Sequence, residues 1–443
     1  MRGSSAGPGS SGTALDSIEI KGTKHFRGEL TPPPDKSLSH RAVIFSSLAN
    51  GTGRVENFLR AQDTESTVHA FRTLGIVIDD RGQELIIHGK GLHGLTEPND
   101  LINCGNSGTT IRLLSGVLAG NPFFSVLTGD DSLRGRPMAR VIKPLAQMGA
   151  LIMARADNRY PPVAIRGGGL RPVSYVMPMA SAQVKSSILL AGLYAEGETV
   201  VSEPARSRDH TERMLPSFGA DLKVDGCTVS LTGGRDLMPL DIVVPGDISS
   251  AAFFMVAALI IPDAEVMIRN VGINPTRIGI LTVLKRMGGL VRTENVREVS
   301  GEPVADIYCK GTSGLRAVEV GGDIVPSLID EFPILCIAAA CAEGVTTIRG
   351  AEELRVKESD RIQAMAAELR KMGVAVHEFP DGLSITGSGR LRAAEVESHG
   401  DHRIAMSMAV AGLAAAGVTT VHNASAVAIS FPGFFKMIAE CSS

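Results

Sequence analysis

Two kinds of helical pattern alternate along the chain. In one, apolar side chains recur every three or four residues opposite a charged face, as in residues 361–371, which predicts a helix lying on a surface. In the other, as in residues 42–49, 334–342 and 404–416, the segment is apolar or small nearly all round, which predicts burial on every side. Short alternating runs lie between them: Ile76-Val77-Ile78 with Leu85-Ile86-Ile87, Leu222-Lys223-Val224 with Val229-Ser230-Leu231, and Val374-Ala375-Val376 with Leu383-Ser384-Ile385. The turn residues between the runs, Asp80-Arg81-Gly82, Asp225-Gly226 and Pro380-Asp381-Gly382, predict hairpins.

The order of these features repeats. A bulky apolar residue, a glycine and a strand close the amphipathic helices at Leu74-Gly75-Ile76, Met148-Gly149-Ala150, Phe218-Gly219-Ala220, Met287-Gly288-Gly289 and Met372-Gly373-Val374, where the glycine suits a left-handed helix terminus. A polar or small-residue turn opens the apolar helices at Asp35-Lys36-Ser37, Asn106-Ser107-Gly108-Thr109-Thr110, Ser181-Ala182-Gln183-Val184-Lys185, Gly246-Asp247-Ile248-Ser249-Ser250, Asp330-Glu331 and Asp401-His402-Arg403. The unit is strand, helix, strand, helix and hairpin strands, with a period of about 70 residues. Buried helices inside an outer layer of sheets make an α/β, inside-out barrel.

Proline punctuation at Pro32-Pro33-Pro34 and Pro245-Gly246 splits the units three and three. Residues 34–246 are expected to form one domain, and residues 17–33 with 247–443 a discontinuous partner. Residues 1–16, rich in Gly and Ser, are expected to be a disordered added linker outside the fold.

Composition narrows the function classes. A length of 443 residues with 44% hydrophobic content supports two or three domains with substantial cores. A formal net charge of −3 supplies no global basic field for nucleic acid. The six cysteines show no Cys-x-x-Cys pair, so neither a zinc site nor a disulfide framework is indicated. The longest apolar run, near residues 251–261, falls short of the roughly 18 to 20 residues that cross a bilayer. No membrane partner is expected, and the chain is expected to be cytoplasmic and monomeric. The Gly-x-Gly-x-x-Gly and P-loop signatures of nucleotide sites are absent as well.

Candidate chemistry collects at the polar turns. A helix start presents unpaired N–H groups and a partial positive charge, a ready anion site. Lys36, Arg41, Arg112, Lys185 and Arg403 lie in or just after these turns, where a cation opposes the helix dipole and needs another reason to be there. Arg134, Arg136, Arg140, Arg208, Arg355, Lys357 and Arg361 add to the set, which points to a phosphorylated or carboxylated ligand. Lys357 and Arg361, four apart, are expected to share a helix face. Among these cations stand Asp330 and Glu358, candidates for general acid–base work, although capping alone would also account for Asp330.

As a set the motifs resemble the enolpyruvyl transferases, in particular the branch that uses shikimate 3-phosphate. They are Asp35-Lys36-Ser37-x-x-x-Arg41, Gly105-Asn106-Ser107-Gly108-Thr109, Arg136-Pro137-Met138, Met179-Ala180-Ser181-Ala182-Gln183-Val184-Lys185, Arg208-Asp209-His210-Thr211-Glu212, the run from Glu353 to Arg361, and Gly400-Asp401-His402-Arg403. The resemblance covers essentially everything after the linker. It implies two domains, each of three βαβαββ units, a cleft between them that closes on substrate, and transfer of the enolpyruvyl group of phosphoenolpyruvate to the 5-hydroxyl of shikimate 3-phosphate with release of phosphate. No metal or organic cofactor is implied.

Carried over by position, the resemblance gives Lys36, Ser37, Arg41, Ser181, Ala182, Gln183, Arg208, Asp330 and Lys357 to shikimate 3-phosphate. It gives Lys36, Gly108, Arg136, Gln183, Glu358, Arg361 and Arg403 to phosphoenolpyruvate. Asp330 would take the proton of the 5-hydroxyl, and Glu358 with Lys36 would protonate C3. Two departures, Ile429 where many members carry Lys and Ala182 where many carry Ser, suggest the divergent, class II-like subgroup that includes glyphosate-tolerant enzymes. Gly108 keeps the residue whose replacement would crowd that inhibitor. The nearest rival, UDP-N-acetylglucosamine enolpyruvyl transferase, typically has Asn after its first lysine and a loop cysteine. Here Ser37 follows Lys36, and residues 128–140 contain no cysteine. A non-catalytic binder of phosphorylated metabolites would keep the arginines without needing Asp330 and Glu358.

Overall fold

The computed structural model describes residues 16–311 and 314–442. The expected linker lies outside the described residues except for Asp16, which belongs to the fold: its carboxylate accepts the backbone N–H of Ser425 at 2.7 Å.

Apolar composition all round puts six helices at the centre: Lys36–Leu48, Gly108–Ala119, Ala182–Gly192, Ile248–Ile260, Phe332–Cys341 and His402–Ala414. Small residues let them approach closely. At Gly116 a Cβ would lie 2.2 Å from the Ser187 carbonyl oxygen of the neighbouring central helix, so any larger residue would push the two helices apart. The surface helices end at Gly75, Gly149, Gly219, Gly288 and Gly373, whose φ values of 84 to 109° confirm the left-handed termini.

Five four-stranded sheets share one plan, a short parallel strand followed by an antiparallel pair. In one, Phe124–Thr128 runs parallel to Ile102–Asn103 and antiparallel to Tyr160–Arg166, whose other edge takes Leu151–Ala154. The sixth unit is completed by the start of the fold: Ser17–Lys21 pairs antiparallel with Val418–His422, with Ser17 opposite His422.

The buried side chains form two cores. One runs from Leu38 to Val244; the other joins Ile20, Phe26 and Leu30 to residues from Ile248 to Cys441. The architecture is the two-domain inside-out α/β barrel. The chain crosses between the cores twice, and the crossings lie side by side, with Asp35 N–H donating to Pro245 O at 2.8 Å and Asp247 N–H to Pro33 O at 2.9 Å. The central helix starts of both cores are thereby brought to one cleft. Among the described residues no helix is long and apolar enough to cross a membrane.

Candidate active site

The cleft encloses about 1070 Å³, part of it open solvent, and is lined from both cores. Helix capping explains how its walls are built. Asp35, Ser107, Asp247 and Asp401 each accept a backbone N–H from the first turn of a central helix, at 2.8 to 3.1 Å. Residues next to these caps, Lys36 and Ser37, Gly108 and Thr109, and Arg403, then face the cleft. Asp330 is different. It sits in the short turn Ile329–Glu331 before the helix Phe332–Cys341 and makes no cap; its carboxylate is taken up by arginines.

Arg208, from the loop before the helix His210–Ser217, donates to Asp330 Oδ2 at 2.6 Å, and Arg361 donates to Asp330 Oδ1 at 3.3 Å. Arg403 donates to the Asp330 carbonyl at 3.1 Å. Burial by itself would raise the Asp330 carboxyl, but Arg208, Arg403, Lys357 and Arg361 outweigh it and hold the group well below the ordinary range. Glu358 receives Arg361 Nη2 at 2.7 Å and lies 3.5 Å from Arg136 Nη1. Burial again opposes ionisation, yet Arg361, Arg136, His402 and Lys36 keep Glu358 well below its usual value. Both carboxylates are therefore ionised at neutral pH among these cations.

Other partners define the rest of the wall. Lys36 Nζ pairs with Asp63 at 2.8 Å, and Lys357 Nζ with Glu353 at 3.1 Å. Gln183 accepts from Arg112 at 2.5 Å and donates to Thr109 Oγ1 at 3.0 Å. Arg41 is oriented by Thr211 and Ser186, at 2.7 and 2.8 Å. Desolvation lowers Arg41 to about 10 and Arg112 to about 9, so both remain cationic at neutral pH. Nine Lys or Arg side chains face four carboxylates on the lining, leaving an excess of positive charge for an anionic ligand.

The residues 20–438 match the family model described as EPSP synthase (3-phosphoshikimate 1-carboxyvinyltransferase). The chain belongs to the EPSP synthase family. It is 54% identical over 421 residues to the 3-phosphoshikimate 1-carboxyvinyltransferase of Thermodesulfovibrio yellowstonii, covering 95% of this chain and 98% of that protein. It is 55% identical to the enzyme of that name from Geobacter sulfurreducens, again over 95% and 98%. An EPSP synthase structure from Acinetobacter baumannii superposes with a TM-score of 0.86 at 50% identity, covering 96% of this chain and 98% of that one. The enolpyruvyl transferase NikO from Streptomyces tendae shares the fold, with a TM-score of 0.75 at 19% identity over 96% and 98% of the two chains.

Every residue assigned to a site from the family motifs lines the cleft, from Lys36, Ser37 and Arg41 through Gly108, Arg136, Ser181, Ala182, Gln183 and Arg208 to Asp330, Lys357, Glu358, Arg361 and Arg403. One expectation about how they get there is corrected: Lys357 and Arg361 share no helix face. Asp360 caps the surface helix through Gln363 N–H at 3.0 Å, which starts that helix at Arg361 and leaves Lys357 in extended backbone after a 3-10 turn. Three of the candidate cations lie off the cleft: Arg134 pairs with Asp131, Arg355 with Asp360 and Glu378, and Lys185 with Glu203 and Glu212. Ile429, the departure from the family's lysine, also lies outside the lining. The motif reading missed Asp63 and Glu353 as carboxylate partners of Lys36 and Lys357. Glu353 stood inside a quoted motif; Asp63 had no marker beyond its place in the first turn of a helix.

Proposed function

We propose that the cleft catalyses transfer of the enolpyruvyl group of phosphoenolpyruvate to the 5-hydroxyl of shikimate 3-phosphate, releasing phosphate. The observation that carries the residue roles is the meeting of Arg208 and Arg136 from one core with Asp330 and Glu358 from the other, in a cleft with surplus cations. The two substrates bring two phosphates and two carboxylates. Guanidinium forks bind such groups in bidentate fashion, and the low-dielectric cleft strengthens each contact.

In this reading Lys36, Ser37 and Arg41 hold the ring and carboxylate of shikimate 3-phosphate, Ser181, Ala182 and Arg208 its phosphate, and Lys357 its hydroxyls. Gly108, Arg136, Arg361 and Arg403 hold phosphoenolpyruvate, and Gln183 lies between the two. Asp330, ionised by its arginine neighbours, accepts the 5-hydroxyl proton as that oxygen bonds to C2. C3 gains a proton from Glu358, assisted by Lys36. Glu358 needs a proton to give, and substrate anions provide for this: once they occupy Arg136 and Arg361, the groups that hold Glu358 ionised are neutralised and burial raises its pKa. Departure of phosphate with loss of a C3 proton restores the double bond.

We take residues 17–33 with 247–443 and residues 34–246 as the two domains, separated by the cleft. The six unpaired thiols favour a reducing, cytoplasmic setting, and we take the working unit to be a monomer. The deciding experiment follows phosphate release from phosphoenolpyruvate with shikimate 3-phosphate and, in parallel, with UDP-N-acetylglucosamine. Release with the first acceptor alone is expected; release with the second alone, or with neither, overturns the proposal.

A further inference from the structure

The central helix Ala182–Gly192 carries one charged residue, Lys185, whose side chain is 1% exposed and does not line the cleft. Its partners are two buried carboxylates, Glu203 and Glu212, each 2.6 Å from Nζ. Burying three ionisable groups is costly, so their persistence in an apolar core needs a reason.

The contacts of Glu203 supply one. Its Oε1 accepts both Lys185 Nζ and the backbone N–H of Ser207, at 2.6 and 2.9 Å, and its Oε2 accepts the Ser207 hydroxyl at 2.6 Å. Residues 203–207 thus fold around a single carboxylate, and the next residue is Arg208. Glu212 meets the same ammonium through Oε1 but holds no group of the 203–207 loop. Its Oε2 has no partner, and burial raises its carboxyl despite the pull of Lys185. Of the two carboxylates on the ammonium, it is Glu203 that also holds the loop through Ser207.

We propose that Lys185 is a positioning residue for the phosphate of shikimate 3-phosphate, acting through Glu203 on the loop that presents Ser207 and Arg208. The same helix offers Ser181 and Ala182 at its start, so the Lys185–Glu203 pair ties together the two walls between which that phosphate would sit. The inference rests on the acceptor reading of Arg208 given above and adds a buried group that holds Arg208 in place.

The test compares steady-state kinetics of the full chain with its Glu203→Gln and Glu212→Gln variants. Glu203→Gln is isosteric, but it removes the charge and turns one acceptor into a donor facing Lys185 or Ser207. It is expected to raise KM for shikimate 3-phosphate about tenfold, the worth of a hydrogen bond to a charged group, with kcat and KM for phosphoenolpyruvate within about twofold. Glu212→Gln is expected to change neither KM. The double variant Lys185→Met/Glu203→Gln leaves Glu203 uncharged and without an ammonium to face, and must show the same selective rise. Equal changes in both KM values, or a lowered melting temperature with unchanged KM values, would overturn the proposal. Failure of the acceptor reading is distinguished from this, because the unaltered protein would then release no phosphate with shikimate 3-phosphate.

Discussion

Arg208 and Asp330 lie in the stretches of chain that build different hydrophobic cores and stand 122 positions apart, yet the guanidinium of one donates to the carboxylate of the other at 2.6 Å. The same pattern repeats along the cleft, with Arg136 beside Glu358 at 3.5 Å and Arg140 beside Glu353 at 3.4 Å. In each pair the cation comes from the 38–244 core side and the carboxylate from the other. The protein's own carboxylates occupy the cations that the proposed reading gives to substrate anions, and in that reading binding exchanges one set of partners for another.

The exchange gives Asp330 its clearest test. Replacing it with Ala removes the ionised carboxylate but leaves the arginines, so shikimate 3-phosphate binding is expected to remain measurable by calorimetry. Turnover is expected to fall by about 10²- to 10⁴-fold, the usual worth of a positioned general base. Unchanged turnover would sink the assignment.

Arg208→Ala acts on the other partner. Loss of a charge-assisted contact to phosphate is expected to weaken shikimate 3-phosphate about 10- to 100-fold. The KM for phosphoenolpyruvate should move much less, and a loss confined to phosphoenolpyruvate contradicts the role.

Much of this was legible in the chain because local rules produce it. Glycine after a bulky apolar residue marks a helix end wherever it occurs, and Asp or Ser before an apolar helix marks a start. The six turns before the central helices followed from those rules, and five of them, all but the one at Gly246–Ser250, contribute to the cleft lining. What was not legible depends on long-range pairing. Lys357 and Arg361 have helical spacing, but the Asp360 cap intervenes and starts the helix too late to include Lys357. Asp63 gains its role only when its helix packs beside Lys36, and Lys185 has the composition of another cleft cation until Glu203 and Glu212 close around it.

Gly108 tests the space around the guanidinium groups. A Cβ there would lie 3.0 Å from Arg112 Nη1 and 3.2 Å from Arg136 Nη1, so Gly108→Ala must displace one of them slightly. The backbone itself tolerates alanine at the first turn of a helix, and stability should be little changed. The expected result is a several-fold rise in KM for phosphoenolpyruvate with a smaller change for shikimate 3-phosphate, and unchanged values for both would show that the arginines adjust without consequence. The glyphosate inhibition curve of the same variant would report whether that inhibitor shares the crowded space.

Arg277 tests the seam where the two crossings meet. Buried to 3% side-chain exposure, it holds Asp35 at 3.0 Å and Asp247 at 3.1 Å, the caps of a central helix from each core, and it donates to Ser249 Oγ at 2.7 Å. Burial would raise Asp35, but Arg277 and His210 outweigh it and bring its pKa down to about 2. A folded-state value below the unfolded one, about 3.9, means that this contribution is present above pH 4 and is lost as pH falls toward 2. Asp247 has the opposite sense, since burial and the neighbouring Asp35 raise it, so its contribution weakens as pH rises. In Arg277→Met both carboxyls lose their cation and each must be buried charged or take up a proton. The cost at pH 7 is expected to be about 3–5 kcal/mol, as for removal of one partner from a buried ion pair. Protonation of both carboxyls in acid relieves that cost, so the difference in urea midpoint between Arg277→Met and the unaltered chain should be large at pH 7 and shrink below about pH 4. A difference independent of pH would mean that Arg277 stabilises the seam through packing and not through charge.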